Sequence, residues 1–144
     1  MKKLILPLLL CCSLAVFAQN GALTVIGNSN GVPSSFTKAG LKSVFMGNTA
    51  NWPNGTKVKL ALMKFTTTEG QQTCSKLFGM SSGDVTKHWL MTSMKGKVDA
   101  PVFFTSADAL QQFVARTPGA IGIVAGAVTL KNSKTVLVNG RNSF

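Results

Sequence analysis

The chemically most suggestive part of the chain is a cluster of threonines near its middle. Residues 66–68 are all threonine, and Thr73 follows after a glutamate, a glycine and two glutamines. A glycine after polar residues is typical of a turn into a helix, and the first N–H groups of a helix have no partner inside it and attract anions. Threonine hydroxyls would add donors, and Lys57 or Lys64 would add positive charge. The segment is therefore a candidate anion site, unless its residues serve only to form the turn and to cap the helix.

Side chains that often carry out catalysis are scarce. His88 is the single histidine and is more typical of a helix surface than of a zinc site, which needs three or four ligands. Cys74 would need a base to act as a nucleophile, and a small buried residue on a helix face is the simpler interpretation. The sequence contains neither a nucleophile elbow nor a phosphate-binding loop of the NTPase type. We therefore expect a protein that is not an enzyme and that requires no metal or cofactor.

The first 18 residues have the pattern of a secretory signal peptide. Lys2 and Lys3 precede an apolar stretch over Leu4–Phe17, which is shorter than a bilayer-spanning helix requires. The residues that end this stretch favour cleavage after Ala18. We therefore expect a periplasmic protein, with a lipoprotein signal or an uncleaved anchor as the alternatives.

The composition indicates one folded, strongly basic domain. The chain has 144 residues, of which 45% are hydrophobic, and this apolar content is too high for a disordered tail. Lysine and arginine number 15 against 4 acidic residues, a net charge of +11 that becomes +9 for residues 19–144. Part of this charge, Lys95 and Lys97, flanks a glycine in a basic stretch. The excess favours an anionic partner, but nucleic acid is not expected because only two arginines are present.

Strand and helix patterns alternate along residues 19–144, which predicts an α/β domain. Strands or extended segments are expected at Ala22–Ile26, Lys57–Met63, Pro101–Phe104, Ala120–Val124 and Thr135–Val138. Helices are expected after the capping residues Thr37, Ser81 or Ser82, and Ser106, and after the turn at residues 66–70. In Lys57–Met63 every second residue is strongly apolar, which indicates a strand with one wet face or one covered edge.

Three stretches of the sequence resemble the phosphate-binding protein of phosphate ABC transporters, which has a type 2 periplasmic-binding fold. They are Phe36–Val58 (FTKAGLKSVFMGNTANWPNGTKV), Leu62–Phe78 (LMKFTTTEGQQTCSKLF) and Ser106–Val124 (SADALQQFVARTPGAIGIV). The transporter proteins are about twice as long and have two lobes that close on phosphate. The resemblance therefore implies a single periplasmic-binding-protein-like lobe, an α/β domain with a mixed sheet flanked by about four short helices.

The resemblance also implies a ligand site, with departures from the family pattern. In the family, the turn after the central strand contains Arg-x-Asp-Gly-Ser-Gly-Thr, whose side chains and N–H groups hold the oxyanion. Here a threonine stands in place of the arginine and two glutamines in place of the serine and the second glycine, and losing the guanidinium weakens binding. Serines in the loop after the first strand lie in the kind of place where the family's other lobe also offers hydroxyls. The predicted ligand-binding residues are Thr66, Thr67, Glu69, Gly70, Gln71, Gln72, Thr73, Ser29 and Ser34.

The sequence thus leads to two alternative functions. The first is an exported solute-binding protein that takes phosphate or a similar small oxyanion for an ABC uptake system, with an ABC permease as its partner. The alternative is an interaction module that keeps the fold, has lost phosphate binding and docks on a partner protein or an anionic envelope surface. A lone lobe leaves its cleft half open, so a homodimer is also expected.

Overall fold

The computed structural model of the protein describes residues 22–127 and 129–144. The predicted signal peptide and its cleavage after Ala18 lie outside the described residues. Within the described ranges, no helix combines the length and the apolar character needed to cross a bilayer.

The described helices each begin after a hydroxyl-bearing cap. The capping oxygens of Thr37, Thr67, Ser81 and Ser106 accept a hydrogen bond from the backbone N–H three residues later. Of the two predicted caps of the third helix, Ser81 is therefore the one used. The helices are α1 (Lys38–Phe45), α2 (Thr68–Thr73) continued by a π-helical turn (Cys74–Phe78), α3 (Ser82–Met94) and α4 (Ala107–Arg116).

The described strands form one mixed sheet of six. They are β1 (Leu23–Asn28), β2 (Ser35–Phe36), β3 (Lys59–Met63), β4 (Val102–Phe104), β5 (Ala120–Ala125) and β6 (Ser133–Val138). Their order across the sheet is β2-β6-β1-β5-β3-β4. β3 runs parallel to β4 and β5, β2 runs parallel to β6, and β1 runs antiparallel to both of its neighbours. A mixed sheet with four helices confirms the predicted α/β class.

The strand that ends at Met63 is covered on both faces only in its second half, which limits the predicted wet face to Lys57 and Lys59 at its start. Leu60 and Leu62 of β3 enter the larger core, which also contains residues of α1, α3 and the π-helical turn. Ala61 and Met63 point to the other face and join the smaller core beneath α4. β3 therefore behaves as an inner strand, because β4 and β5 flank it and helices cover it on two sides.

A glycine allows α4 to lie close to the sheet. A Cβ atom added to Gly122 of β5 would lie 2.6 Å from Leu110 Cδ2 and 3.2 Å from Val114 Cγ2. Both of those side chains are fully buried. Because α4 lies this close to the sheet, it covers the face opposite the larger core and forms the smaller core there.

Strand direction determines which loops share an edge of the sheet. β3 and β4 are parallel, and α2 follows the first of them while α4 follows the second. The starts of both helices therefore lie at the carboxyl edge of the parallel strands. β1 is antiparallel to β5, so the loop that follows β1 lies at the opposite edge.

Candidate functional site

The start of α2 is built by a tight turn after β3. The N–H of Lys64 donates to the Phe104 carbonyl (2.8 Å), which ties the turn to β4, and the N–H of Thr67 donates back to the Lys64 carbonyl (2.9 Å). The Thr67 hydroxyl donates to the same carbonyl (2.6 Å) and accepts from the Gly70 N–H (3.0 Å). Thr67 thus caps the helix and closes the turn.

Gly70 is required at this place because the turn folds directly beneath it. It is buried, and a Cβ atom on it would lie 2.1 Å from the carbonyl oxygen of Lys64. No side chain fits in that space, so the glycine allows the first turn of α2 to pack on the backbone that precedes it.

Several of the predicted site residues hold the helix together. The Gln71 side-chain amide donates to the Phe65 carbonyl, and the hydroxyl of the buried Thr73 donates to the Glu69 carbonyl (2.8 Å). With the cap at Thr67, three of the polar side chains already have partners within this segment. Gln72 is half-buried in the same helix.

The groups left for a ligand at the start of α2 are fewer than the sequence suggested. Thr66, Thr68 and Lys64 are exposed. The N–H groups of Thr68 and Glu69 belong to the first turn, where no carbonyl inside the helix reaches them. Glu69 stabilises the positive end of the helix dipole, and its carboxylate would oppose a bound anion.

The structure does not bring Ser29 or Ser34 to this helix start. Ser29 follows β1 at the opposite edge of the sheet, so it is separated from the α2 turn by the length of β3, roughly 13 Å. Ser34 precedes β2, which lies four strand spacings from β3, roughly 19 Å away. Its hydroxyl oxygen lies 3.3 Å from Lys134 Nζ. The direction of β1 and the position of β2 in the sheet therefore keep both serines away from residues 66–73.

Ser29 lines a separate pocket at the opposite edge of the sheet, of about 560 Å³. Its side is formed by the buried Asn28, whose Nδ2 donates to the Val114 carbonyl (2.8 Å) and the Ala115 carbonyl (3.2 Å) at the end of α4. Arg116, in the last turn of α4, is exposed at this pocket. The lining residues are Asn28, Ser29, Asn30, Ala115, Arg116, Pro118 and Asn132. Sequence reasoning missed this pocket, because only strand pairing brings residues 28–30 to the end of α4.

A second cavity, of about 350 Å³, lies beside the start of α2. Lys64, Phe65 and Thr66 line one side, and residues of α3 and β4, among them Trp89 and Phe103, line the other. The rings of Phe65 and Phe103 meet edge to face with centroids 5.2 Å apart. The exposed Lys64 and Thr66 therefore lie next to an apolar wall.

His88 and Cys74 lie among groups that contribute to the fold. The His88 Nε2 lies 2.7 Å from the Met46 carbonyl oxygen and 3.3 Å from the Thr92 hydroxyl. Cys74 is buried in the larger core, and this burial raises the pKa of its thiol. Among the residues that the structure describes, no three histidine, cysteine or acidic side chains are grouped as metal ligands.

Comparisons with known proteins identify the fold. No family model matches the sequence, and no curated protein matches it either. Solved structures do match, at 12–14% identity. The chain has a periplasmic-binding-protein-like fold. One neighbour, from Clostridium perfringens, is described as a phosphate ABC transporter substrate-binding protein with bound phosphate; its TM-score is 0.64 at 12% identity, over 83% of this chain and 45% of that one.

Two further solved structures match with similar TM-scores and coverage. An ABC-type phosphate transport receptor from Vibrio cholerae gives a TM-score of 0.63 at 14% identity, over 85% of this chain and 48% of its own. PstS from Borrelia burgdorferi gives 0.62 at 14% identity, over 82% and 47%. The chain thus spans about half the length of these structures. The predicted periplasmic-binding-protein-like fold is confirmed.

Proposed function

We propose that this protein is an exported solute-binding lobe that holds a small oxyanion of the phosphate class at the start of α2 and performs no chemistry on it. The observation that carries the proposal is the position of that helix start. It lies at the carboxyl edge of the parallel strands β3 and β4, where open α/β sheets commonly bind ligands. The fold similarity to three phosphate-transport proteins supports the same ligand class.

The donors proposed for the oxyanion are polar groups around the turn. They are the Lys64 ammonium, the hydroxyls of Thr66 and Thr68, and the backbone N–H groups of Thr68 and Glu69. A tetrahedral oxyanion accepts several such bonds at once, and those to a charged acceptor contribute about 1.5–3 kcal/mol each. The other predicted residues, Gly70 and the side chains that bond within the helix, form the frame on which these donors are presented.

Two features make the proposed site weaker than one with a guanidinium. Thr67 stands where the resemblance has arginine, and its hydroxyl is used as the cap and in the turn. Glu69 brings a negative charge into the first helical turn. We nevertheless expect phosphate to bind more tightly than about 1 mM, which corresponds to a free energy of about −4 kcal/mol.

Isothermal titration calorimetry with phosphate and with sulfate tests the proposal, with chloride at matched ionic strength as the reference. The Lys64→Gln and Thr66→Val variants are expected to weaken phosphate binding, whereas Lys131→Gln and Thr129→Val, at exposed positions elsewhere, are matched controls. Affinity weaker than about 1 mM for both oxyanions, or equal losses in the test and control variants, would overturn the proposal.

The proposal includes export and a transport partner. Residues 1–18 would direct the chain to the periplasm, where the exported lobe would deliver its anion to an ABC permease. N-terminal sequencing of protein recovered from the periplasmic fraction tests the export step, and a mature chain that begins at Gln19 is the expected result. The homodimer stays a prediction, and light scattering in phosphate buffer tests it.

A further inference from the structure

Helix α3 has two apolar faces, and only one of them is covered by the described part of the chain. Val85 and Trp89 are buried in the larger core. Leu90, Met91 and Met94 are 64%, 58% and 81% exposed. At about 100° per residue, these three side chains lie on the flank opposite the buried pair. An exposed apolar group of this kind on an otherwise packed helix is typical of a contact surface.

Positive charge lies beside these apolar side chains and directly after them in the chain. Lys87 is three and four residues before Leu90 and Met91, and therefore lies beside them on the same flank. Lys95 and Lys97, which the sequence singled out as a basic stretch, follow the end of the helix, and all three lysines are exposed. We call Leu90, Met91, Met94, Lys87, Lys95 and Lys97 the α3 patch.

The nearby acidic residues leave this charge largely uncompensated. Asp84 lies in the first turn of α3, roughly 15 Å along the axis from Met94. Asp99 follows the patch in sequence, but its carboxylate contacts Lys57 (3.0 Å) and Lys59 (2.5 Å) near β3. The far half of α3 and the segment after it therefore combine apolar side chains with a cationic border.

We propose that the α3 patch docks this protein on an anionic phospholipid surface. Unbranched methionines and a leucine that project from a helix flank can enter the boundary between headgroups and acyl chains. The lysines beside them keep their ammonium groups at the phosphates while their alkyl chains follow the apolar side chains inward. Each such lysine near an anionic membrane contributes about a factor of five in binding.

Charge complementarity favours a lipid surface over a second copy of the chain. Two α3 patches brought face to face would oppose three lysines with three lysines, in a protein whose net charge is already +11. The apolar surface also continues towards β4, because Thr86, one turn before Leu90, lines an apolar cavity together with Phe103. A broad apolar flank with a cationic border matches an extended anionic plane.

Vesicle flotation tests this proposal, using neutral phosphatidylcholine vesicles and vesicles with about a third of anionic phosphatidylglycerol. The protein is purified in the form that cells produce, and mass spectrometry verifies that all variants share one N-terminus. L90S/M91S/M94S removes the apolar part, and K87Q/K95Q/K97Q removes the charge. K38Q/K131Q/R141Q removes the same charge from exposed positions elsewhere and is the matched control. Circular dichroism verifies that each variant is folded.

The wild-type protein is expected to float with anionic vesicles and much less with neutral ones. The apolar and lysine variants should each lose tenfold or more in the partition coefficient, and the control should lose less than threefold. Binding should also fall as salt is raised. An equal loss in the control variant would assign the binding to net charge alone and overturn the proposal.

Three other outcomes would also overturn it. The first is equal binding of the wild-type protein to neutral and anionic vesicles. The second is no binding to neutral or anionic vesicles, even if the protein binds an acidic protein. The third is release by inorganic phosphate beyond that caused by chloride at matched ionic strength, because the lipid phosphate would then occupy the start of α2 rather than the α3 patch. The proposal does not rest on anion binding at α2, and the Lys64→Gln variant should float as well as the wild-type protein.

Discussion

The two edges of the sheet carry similar polar side chains but present opposite ends of a helix. At the carboxyl edge, α2 begins at Thr68, close to the exposed Lys64 and Thr66. At the opposite edge, α4 ends, and the carbonyls of Val114 and Ala115 face the pocket that contains Asn28 and Arg116. The first edge has the positive end of a helix dipole and the second has the negative end.

Because of this difference, our proposal places the anion by helix direction and not by the number of hydroxyls, amides and cations. At the end of α4, the amide of Asn28 donates to the free carbonyls, and the Arg116 guanidinium complements the negative end of the dipole. The charge of Arg116 is therefore partly offset by its own helix. At the start of α2 the cation and the dipole act in the same direction, which favours an external anion there.

The largest effect is expected from closing the space beneath α2. The Gly70→Ala substitution puts a Cβ atom 2.1 Å from the Lys64 carbonyl oxygen, so the turn must move. We expect a loss of about 3 kcal/mol in the free energy of unfolding, measured by urea denaturation. The control is Gly83→Ala in the first turn of α3, where the nearest atom is Ser81 Oγ at 3.9 Å, and no loss is expected. Equal stability of the two variants would contradict the packing described for α2.

The opposite edge is tested by removing its buried amide. Asn28→Ala leaves the carbonyls of Val114 and Ala115 without their donor and also removes the acceptor of the Asn30 N–H. We expect a loss of about 2 kcal/mol in the free energy of unfolding, with phosphate affinity unchanged in calorimetry below the melting transition. Asn142→Ala, at an exposed position, is the control. A loss of phosphate affinity in Asn28→Ala would contradict the proposed site, because it would indicate that phosphate binds at the edge that contains Asn28.

The helix cap at the carboxyl edge gives a smaller effect. Thr67→Ala removes the acceptor of the Gly70 N–H and the donor to the Lys64 carbonyl, and we expect a loss of about 1 kcal/mol in the free energy of unfolding. Thr67→Ser keeps the hydroxyl and should remain close to the wild-type protein. A serine variant as unstable as the alanine variant would show that the methyl group, rather than the hydroxyl, matters.

The anion preference of the two edges is compared directly by removing one cation from each. Lys64→Gln is expected to weaken phosphate binding about threefold to tenfold, while Arg116→Gln leaves it unchanged. Glu69→Gln should strengthen binding about threefold, because it removes a like charge from the first turn of α2. Calorimetry at fixed ionic strength measures all three. A larger effect of Arg116 than of Lys64 would reverse the comparison.

The smallest effect concerns pH. Hydrogen bonds from Lys59 and then Lys57 hold the pKa of Asp99 below its usual range. This contribution to stability is complete above the ordinary pKa of an aspartate, about 3.9, and is lost as the pH falls through the lowered value. The difference in urea midpoint between the wild-type protein and Asp99→Asn should therefore shrink below about pH 4. Because Asp99 is exposed, the difference is small at all pH values, and a difference that grows with acid would have the wrong sign.

Most helices and strands were predictable because their signals are local. A cap such as Thr37 or Ser106 accepts a hydrogen bond from an N–H three residues away. The apolar residues of the helices that these caps begin follow the 3.6-residue period. β2 was missed because its two residues are a strand only through pairing with β6, about a hundred residues further along the chain. The wet face expected on the strand that ends at Met63 is limited to Lys57 and Lys59 for a similar reason, since α4, from a distant part of the sequence, covers Ala61 and Met63.

The sequence by itself determined that residues 66–73 form one polar helix start, because neighbours within a turn cannot separate. It also determined the positive charge and the buried face of α1. Only the tertiary structure decided that Ser29 and Ser34 lie elsewhere, that Asn28 reaches the end of α4, and that Leu90, Met91 and Met94 remain uncovered. These outcomes depend on strand direction and order, which arise from contacts between residues far apart in the chain.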